Sequence, residues 1–138
     1  MAQQSILEFQ TGGRATQDIT REVAALVAAS GVQCGIVHVF IQHTSCSLLL
    51  TENADADVRR DLDTVLARLA PDGDPAYRHD AEGPDDMSAH VRTMLTDTAL
   101  SIPVGEGRML LGTWQGIYLW EHRTAPHRRR VVVTILGA

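Results

Sequence analysis

The pattern of apolar and polar positions along the chain predicts a mixture of strands and helices. Strands are indicated where short runs are rich in β-branched or aromatic residues, or where apolar residues are bounded by turn residues. These segments are residues 5–12, 34–42, 46–51, 100–104, 109–122 and 129–136. Apolar residues that recur with the helical period predict helices over residues 18–31, 52–71 and 85–98.

The start and end of each predicted helix carry residues that favour a boundary. Thr20 is a suitable N-cap for the first helix, and Gly31 is a natural stop after it. Asn53 and Asp55 are candidate caps for the second helix, which Pro71 ends. Its apolar stripe comprises Val58, Leu62, Val65, Leu66 and Leu69. In the third helix, Asp85 or Asp86 is the expected cap, and the predicted stripe comprises Met87, Val91, Met94 and Leu95.

The order of these elements predicts an α+β protein with one domain over residues 1–138. Strands joined by short turns must pair antiparallel, which applies to residues 34–42 and 46–51. We therefore expect a compact, largely antiparallel sheet or sandwich, with about three helices. The sequence "GEGR" at 105–108 is typical of a hairpin turn.

Composition excludes some classes of function. The 44% hydrophobic content is ordinary for a globular chain, and the net charge of −5 argues against general nucleic-acid binding. No apolar run has the length of a membrane span, and no export signal is evident. Cys34 and Cys46 lack the spacing of a metal or redox pair, so we expect a reduced, cytoplasmic protein. Arg123 and Arg128–Arg130 form a basic cluster that is either a solvated turn or an anion site.

Three histidines in three segments are the strongest candidates for chemistry. His43, His79 and His90 match the ligand count of an open catalytic zinc site, although their spacing alone is a weak signal. Acid–base catalysis by imidazole, oriented by Asp80, Asp85 or Asp86, is the alternative without metal. A Cys46–His43 nucleophile is a further alternative, which the apolar residues after Cys46 disfavour.

The remaining histidines are predicted to be structural or exposed. His38 alternates with Ile36 and Phe40 and is expected in the core, whereas His122 and His127 are expected at the surface. Glu121 shares a strand face with Ile117 and Leu119, so its carboxylate needs a partner or a strand end that meets water.

Three segments together resemble the YjbQ family, also called the secondary thiamine-phosphate synthase family. They are "HTSCSLLLTENADADV" at 43–58, "YRHDAEGPDDMSAH" at 77–90 and "SIPVGEGRMLLGTWQGIYLWEHR" at 101–123. The resemblance covers roughly residues 5–136. It implies a compact α+β fold that assembles as a homotrimer, with sites at subunit boundaries. Cys46 and Ala56 depart from the family pattern, and neither departure changes the expected site.

The resemblance also implies a weak thiamine-phosphate synthase activity that joins a pyrimidine pyrophosphate to a thiazole phosphate. The expected catalytic residues are His43, His79, His90 and Glu121, with the three histidines as candidate metal ligands. The expected substrate-binding residues are Thr44, Ser45, Asn53, Asp86, Gln115 and Arg129. The expected cofactor is zinc at the histidines or magnesium with pyrophosphate, and no organic cofactor is expected. A metal-dependent hydrolase and a non-catalytic module that binds a phosphorylated metabolite are the alternatives.

Overall fold

The computed structural model describes all residues from 1 to 138 and contains eight strands and three helices. In chain order these are β1 Ala2–Gln10, β2 Ala15–Asp18, α1 Thr20–Ser30, β3 Cys34–Ile41, β4 Cys46–Glu52, α2 Ala56–Leu69, α3 Asp86–Leu95, β5 Ala99–Gly105, β6 Arg108–Met109, β7 Gln115–Glu121 and β8 Arg128–Gly137. The predicted α+β class with antiparallel strands is confirmed.

The strands form two separate sheets in which neighbouring strands run antiparallel. One sheet has the order β1-β8-β3-β5-β6, and the other has the order β2-β7-β4. The expected pairing of β3 with β4 is therefore wrong, although only residues 42–45 separate them. This connection bonds to different neighbours at its two ends, because Gln42 N–H donates to Arg130 O and Ser45 O accepts from His122 N–H. It consequently carries the chain from one sheet to the other.

The hydrophobic core is one cluster to which both sheets and α1 contribute. Val23 and Val27 of α1 are fully buried, as are alternate residues of β3, β7 and β8. The inward-facing strand residues are Val37, Val39, Ile41, Ile117, Leu119, Val131, Val133 and Ile135. β7 is buried on both faces, because Tyr118 and Trp120 lie on the side opposite the core and are also covered.

Two strand predictions need correction. The predicted strand over 109–122 is interrupted, because residues 110–114 form a separate segment between β6 and β7. β2 was not predicted, since four residues are too few to show a pattern. The hairpin at "GEGR" is confirmed: its central residues Glu106 and Gly107 have φ angles of 51° and 77°, as a type I′ turn requires.

The helix boundaries agree closely with the sequence, but only one predicted cap makes the expected bond, since Asp85 holds the cap position of α3 without a side-chain bond to the helix. Asp55 is confirmed as the N-cap of α2, where its side chain accepts a bond of 2.9 Å from Asp57 N–H. At α1 the cap position is Ile19, and the N–H of Thr20 donates instead to Asp18 Oδ1 at 2.9 Å. None of the three helices combines the length and apolar character needed to cross a membrane.

The predicted apolar stripe of α3 faces outward. Met94 is 74% exposed and Leu95 is 49% exposed, whereas the buried side of α3 is mostly polar and carries Asp86, Ser88, Ala89, Arg92 and Thr93. On α2, only Leu66 of the predicted stripe is buried. The prediction was wrong because α3 covers polar groups of the interior, so its polar side faces inward.

The face of β3 that carries His38 is not the core face, which corrects the prediction that His38 is a core residue. His38 lies with Ile36 and Phe40 as expected, but this face of β3 is open and the face of Val37 and Val39 forms the core. The His38 ring bonds to Ser101 Oγ at 3.0 Å on the neighbouring strand β5.

Candidate metal centre

Two histidines and one aspartate meet at the start of α3. Asp86 and His90 lie four residues apart on this helix, so they share one face, and His79 reaches them from the preceding loop. Oδ2 of Asp86 lies 2.7 Å from His79 Nε2 and 3.1 Å from His90 Nε2. The potential ligand atoms of His79, Asp86 and His90 all lie within 4.8 Å of one another. Two imidazoles and a carboxylate are a ligand set that suits zinc and related divalent ions.

The orientation of His90 supports its assignment as a ligand. Its Nδ1 lies 2.9 Å from the backbone oxygen of Thr44, which can only accept a hydrogen bond. Nδ1 therefore carries a proton, and in the neutral imidazole Nε2 presents a lone pair toward Asp86 Oδ2. Two lone pairs facing each other require a cation between them, either a proton or a metal ion. A ligand histidine held through its other nitrogen by a backbone carbonyl is the usual arrangement in metal sites.

Arg123 holds the carboxylates of this region in place. Its Nη1 donates to Asp86 Oδ1 at 2.9 Å, and its Nε donates to Asp85 Oδ2 at 3.0 Å. Burial alone would raise the pKa of Asp86, but bonds from neighbours such as His79 and the charge of Arg123 lower it below its ordinary value. The side chain of Asp86 is thus an ionised acceptor. Within one chain, the guanidinium of Arg123 is already bonded to Asp85 and Asp86.

His43 lies outside this cluster. Its Nε2 accepts a hydrogen bond of 2.8 Å from the backbone N–H of Arg130. Partial burial, followed by the positive charge of Arg129, lowers the pKa of His43. His43 is adjacent in sequence to Thr44, and the carbonyl of Thr44 bonds to His90, so the connection between β3 and β4 links His43 to the edge of the cluster. The role of His43 as a third ligand stays a prediction, and Asp86 occupies that place in the geometry.

Glu121 and Arg129 form a buried ion pair behind this connection. Arg129 Nε donates to Glu121 Oε1 at 2.8 Å, and its Nη2 donates to Glu121 Oε2 and to Ser45 Oγ. Thr11 Oγ1 donates to the same carboxylate at 2.7 Å. Burial works to raise the pKa of Glu121, yet the bonds from Arg129 and Thr11 keep it below its usual range. The expected need of Glu121 for a partner is met by Arg129, and both side chains are enclosed.

Asn53 and Gln115 lie at the other end of the β4–β7 pair. Cys46 is paired with Glu121 at one end, and Glu52 is paired with Gln115 at the other. Six residue steps along a strand span about 20 Å. Within one chain, Asn53 and Gln115 are therefore distant from the histidine cluster. Asn53 Nδ2 donates to Gln115 O at 3.4 Å, so these two residues form a group of their own.

Two other candidates from the sequence are enclosed in the interior. Burial raises the pKa of the Cys46 thiol to about 12, which makes it a poor nucleophile. The prediction that His122 is exposed was wrong: its side chain is fully buried, and Nε2 lies 2.8 Å from Ser47 Oγ. Strand alternation places His122 on the same face as Trp120, opposite the core, where Trp120 Nε1 donates to Asp63 Oδ1 of α2 at 3.0 Å.

Sequence reasoning missed Glu82 and the structural role of Arg123. Glu82 Oε2 lies 3.7 Å from His79 Nε2, and Glu82 O accepts a bond of 3.0 Å from Arg123 Nη2. The signal in the sequence was the spacing of His79 and Glu82, which places two possible ligands three residues apart in one turn.

The sequence matches one protein family over nearly its whole length. A model of the family described as UPF0047 protein YjbQ-like matches residues 5–138. The chain is 48% identical over 134 residues to UPF0047 protein sll1880 of Synechocystis, a match that covers 97% of this chain and 91% of that protein. It is 40% identical over 135 residues to UPF0047 protein YjbQ of Escherichia coli O157:H7, covering 97% of each chain.

Solved structures show the same architecture. The conserved hypothetical protein TT1486 from Thermus thermophilus has a TM-score of 0.84 at 38% identity, covering 96% of this chain and 99% of that one. A YbjQ-like protein of unknown function from Sulfolobus solfataricus has a TM-score of 0.87 over the full length of both chains, and at 23% identity this likeness concerns the fold alone. None of these names describes an activity.

Proposed function

The chain belongs to the UPF0047 YjbQ-like family, and we propose that it binds a divalent metal ion and acts on a small phosphorylated substrate. The observation that carries this proposal is the convergence of His79 and His90 on one oxygen of Asp86. His79, Asp86 and His90 would hold the ion, and zinc is the metal that suits two nitrogen ligands and one oxygen ligand. When bound, the ion would supply positive charge to a substrate oxygen or would acidify a bound water.

Weak thiamine-phosphate synthase activity is the first reaction that we propose for this site. The thiazole nitrogen donates its lone pair to the pyrimidine methylene carbon, while the carbon–oxygen bond electrons leave with pyrophosphate. Departure of this anion needs positive charge nearby, which the histidine cluster would supply with its ion. Glu121 and Arg129 are enclosed, so within the proposal they position Ser45 and the connection that carries His43 and Thr44.

A metal-dependent hydrolase is the second candidate, favoured by the composition of the ligand set. Three protein ligands of mixed nitrogen and oxygen type leave room for a water, as in hydrolytic zinc sites. His79 is exposed and His90 is partly exposed, so the cluster is open to solvent. The third candidate is a non-catalytic module. Binding of metal and a phosphorylated compound without turnover would indicate this function.

We further propose that a homotrimer completes the site. The outer face of the large sheet carries four exposed apolar side chains, those of Ile6, Ile36, Phe40 and Leu136. Trp114, in the segment between β6 and β7, is 62% exposed. A polar row that includes His38 and Thr134 divides the four sheet residues into two apolar groups, and exposed apolar groups on one sheet face indicate an interface. A ring of three chains could bring Asn53 and Gln115 of one chain to the histidine cluster of the next, which the single chain keeps apart.

Turnover measurements with purified protein test the activity. Protein in excess over both thiamine precursors, with zinc or magnesium added, should yield thiamine phosphate detectable by mass spectrometry. His90→Ala should remove the product, while the matched control His127→Ala, which alters a histidine outside the cluster, should retain it. Absence of product with the unaltered protein would exclude the synthase, and a panel of phosphate esters would then test the hydrolase.

Light scattering and subunit exchange test the assembly. The scattering mass should be about three times the 15.0 kDa of one chain. If sites form between chains, a mixture of His90→Ala and Gln115→Ala subunits should recover part of the activity that each variant lacks alone. A monomer, or a mixture as inactive as its components, would contradict the shared site.

A further inference from the structure

A cleft beside His79 differs in chemistry from the metal-ligand cluster. The loop over residues 73–84 closes on itself, because Gly73 N–H donates to Pro84 O at 3.0 Å. This loop and the start of α3 enclose a cleft of about 330 Å³. Its walls include Tyr77, Pro84 and Met87, and His79 belongs to both the cleft and the cluster.

The charged side chains that line the cleft are carboxylates, and the only imidazole or basic side chain there is His79. Asp74 and Asp80 line the cleft, and no lysine or arginine does. Asp74 Oδ1 accepts a bond of 2.9 Å from Ala76 N–H, which fixes this carboxylate, and Asp80 is exposed to solvent. A phosphate placed in the cleft would meet two negative charges and no positive partner. The cleft thus suits a different part of the substrate from the part that the metal cluster would hold.

We propose that the cleft binds a positively charged organic group of the substrate. A cationic amine or heterocycle would meet the carboxylates of Asp74 and Asp80 and the aromatic ring of Tyr77, while its carbon atoms contact Pro84 and Met87. An aromatic face and carboxylates together are the groups that recognise organic cations. The inference rests on the proposed function, because it assigns the phosphate of the same substrate to the metal cluster.

Two matched phosphate esters separate the charge of the organic group from its shape. Phosphocholine carries a quaternary nitrogen, and 3,3-dimethylbutyl phosphate has a carbon atom in its place with nearly the same volume. Calorimetric titration into zinc-loaded protein should show phosphocholine binding about tenfold more tightly, since the two carboxylates and Tyr77 are accessible to solvent and each contributes modestly. This preference should shrink as salt is added, because the carboxylates are open to solvent.

The double variant Asp74→Asn/Asp80→Asn keeps the shape of the cleft and removes its charge. It should bind both esters with nearly equal affinity, whereas the control Asp61→Asn, on the exposed side of α2, should keep the preference of the unaltered protein. Equal affinities in the unaltered protein, a preference that survives in the double variant, or no binding of either ester would overturn the inference. Failure of zinc to bind the unaltered protein would instead overturn the proposed function.

Discussion

The buried histidine at the end of β7 gives a stability prediction that can be worked out quantitatively. Burial, and next the nearby charge of Arg92, lower the pKa of His122 from 6.5 to about 3. As pH falls below 6.5, the unfolded chain takes up a proton at this residue while the folded chain does not. His122 therefore contributes stability that is complete above pH 6.5 and is lost as pH falls toward 3.

The magnitude follows from the difference of one proton between the two states. Each pH unit in this range changes the free energy of unfolding by about 1.4 kcal/mol. Between pH 6 and pH 4, His122 should account for a loss of about 2–3 kcal/mol, because the unfolded histidine is already partly protonated at pH 6. Carboxylates elsewhere add their own pH dependence to the free energy of unfolding. A variant of His122 keeps these carboxylates, so their contribution is the same in both proteins.

Urea unfolding of chelator-treated protein at pH 6 and pH 4 measures the effect. His122→Gln keeps an amide that can bond to Ser47 and has no titrating group. The unaltered protein should lose about 2–3 kcal/mol more than this variant over the interval. The substitution itself is expected to lower the free energy of unfolding at both pH values. Comparing the change between pH 6 and pH 4 in the two proteins cancels this effect. The control His127→Gln should lose as much as the unaltered protein, and an equal loss in His122→Gln would refute the reasoning.

Three further predictions concern residues outside the metal-ligand cluster. Glu121→Gln leaves the charge of Arg129 buried without its partner and should cost about 3–5 kcal/mol in urea unfolding, part of which Arg129→Met should restore in the double variant. Iodoacetamide at pH 8 should label Cys34, which is exposed, and not Cys46, and labelling of both in the native protein would contradict the burial described. Asp55→Ala removes the N-cap of α2 and should lower the unfolding free energy by about 1 kcal/mol, and no change would show that the cap is dispensable.

Strand alternation predicted which residues share a face, but it could not predict which face is covered. Glu121 was placed with Ile117 and Leu119, and the structure confirms this. The same reasoning placed His38 with Ile36 and Phe40 and then assigned the wrong face to the core. Both faces of β3 are apolar, so the choice depends on how the sheet packs against its neighbours, which a local pattern does not contain.

The residues of the candidate site could be recognised from their types. The side chains that bond to them could not, because those contacts depend on tertiary structure. His79 and His90 come together as predicted, and the four-residue spacing of Asp86 and His90 was a readable helical signal. The pairing of Glu121 with Arg129 joins β7 and β8, which lie in different sheets, so no sequence spacing could indicate it. The inward polar side of α3 has the same origin, since it reflects the polar interior that this helix covers.

The central claim is that His79, Asp86 and His90 form a divalent-metal site, and zinc titration of chelator-treated protein tests it most directly. The account predicts one zinc ion per chain in the unaltered protein. Loss of an outer-shell partner already lowers metal affinity by about 10–100-fold, so loss of a ligand in His79→Ala, Asp86→Asn or His90→Ala should lower it by about a hundredfold or more. His43→Ala should leave the affinity nearly unchanged. Retained affinity in Asp86→Asn, with loss in His43→Ala, would contradict the geometry and support the three-histidine site instead.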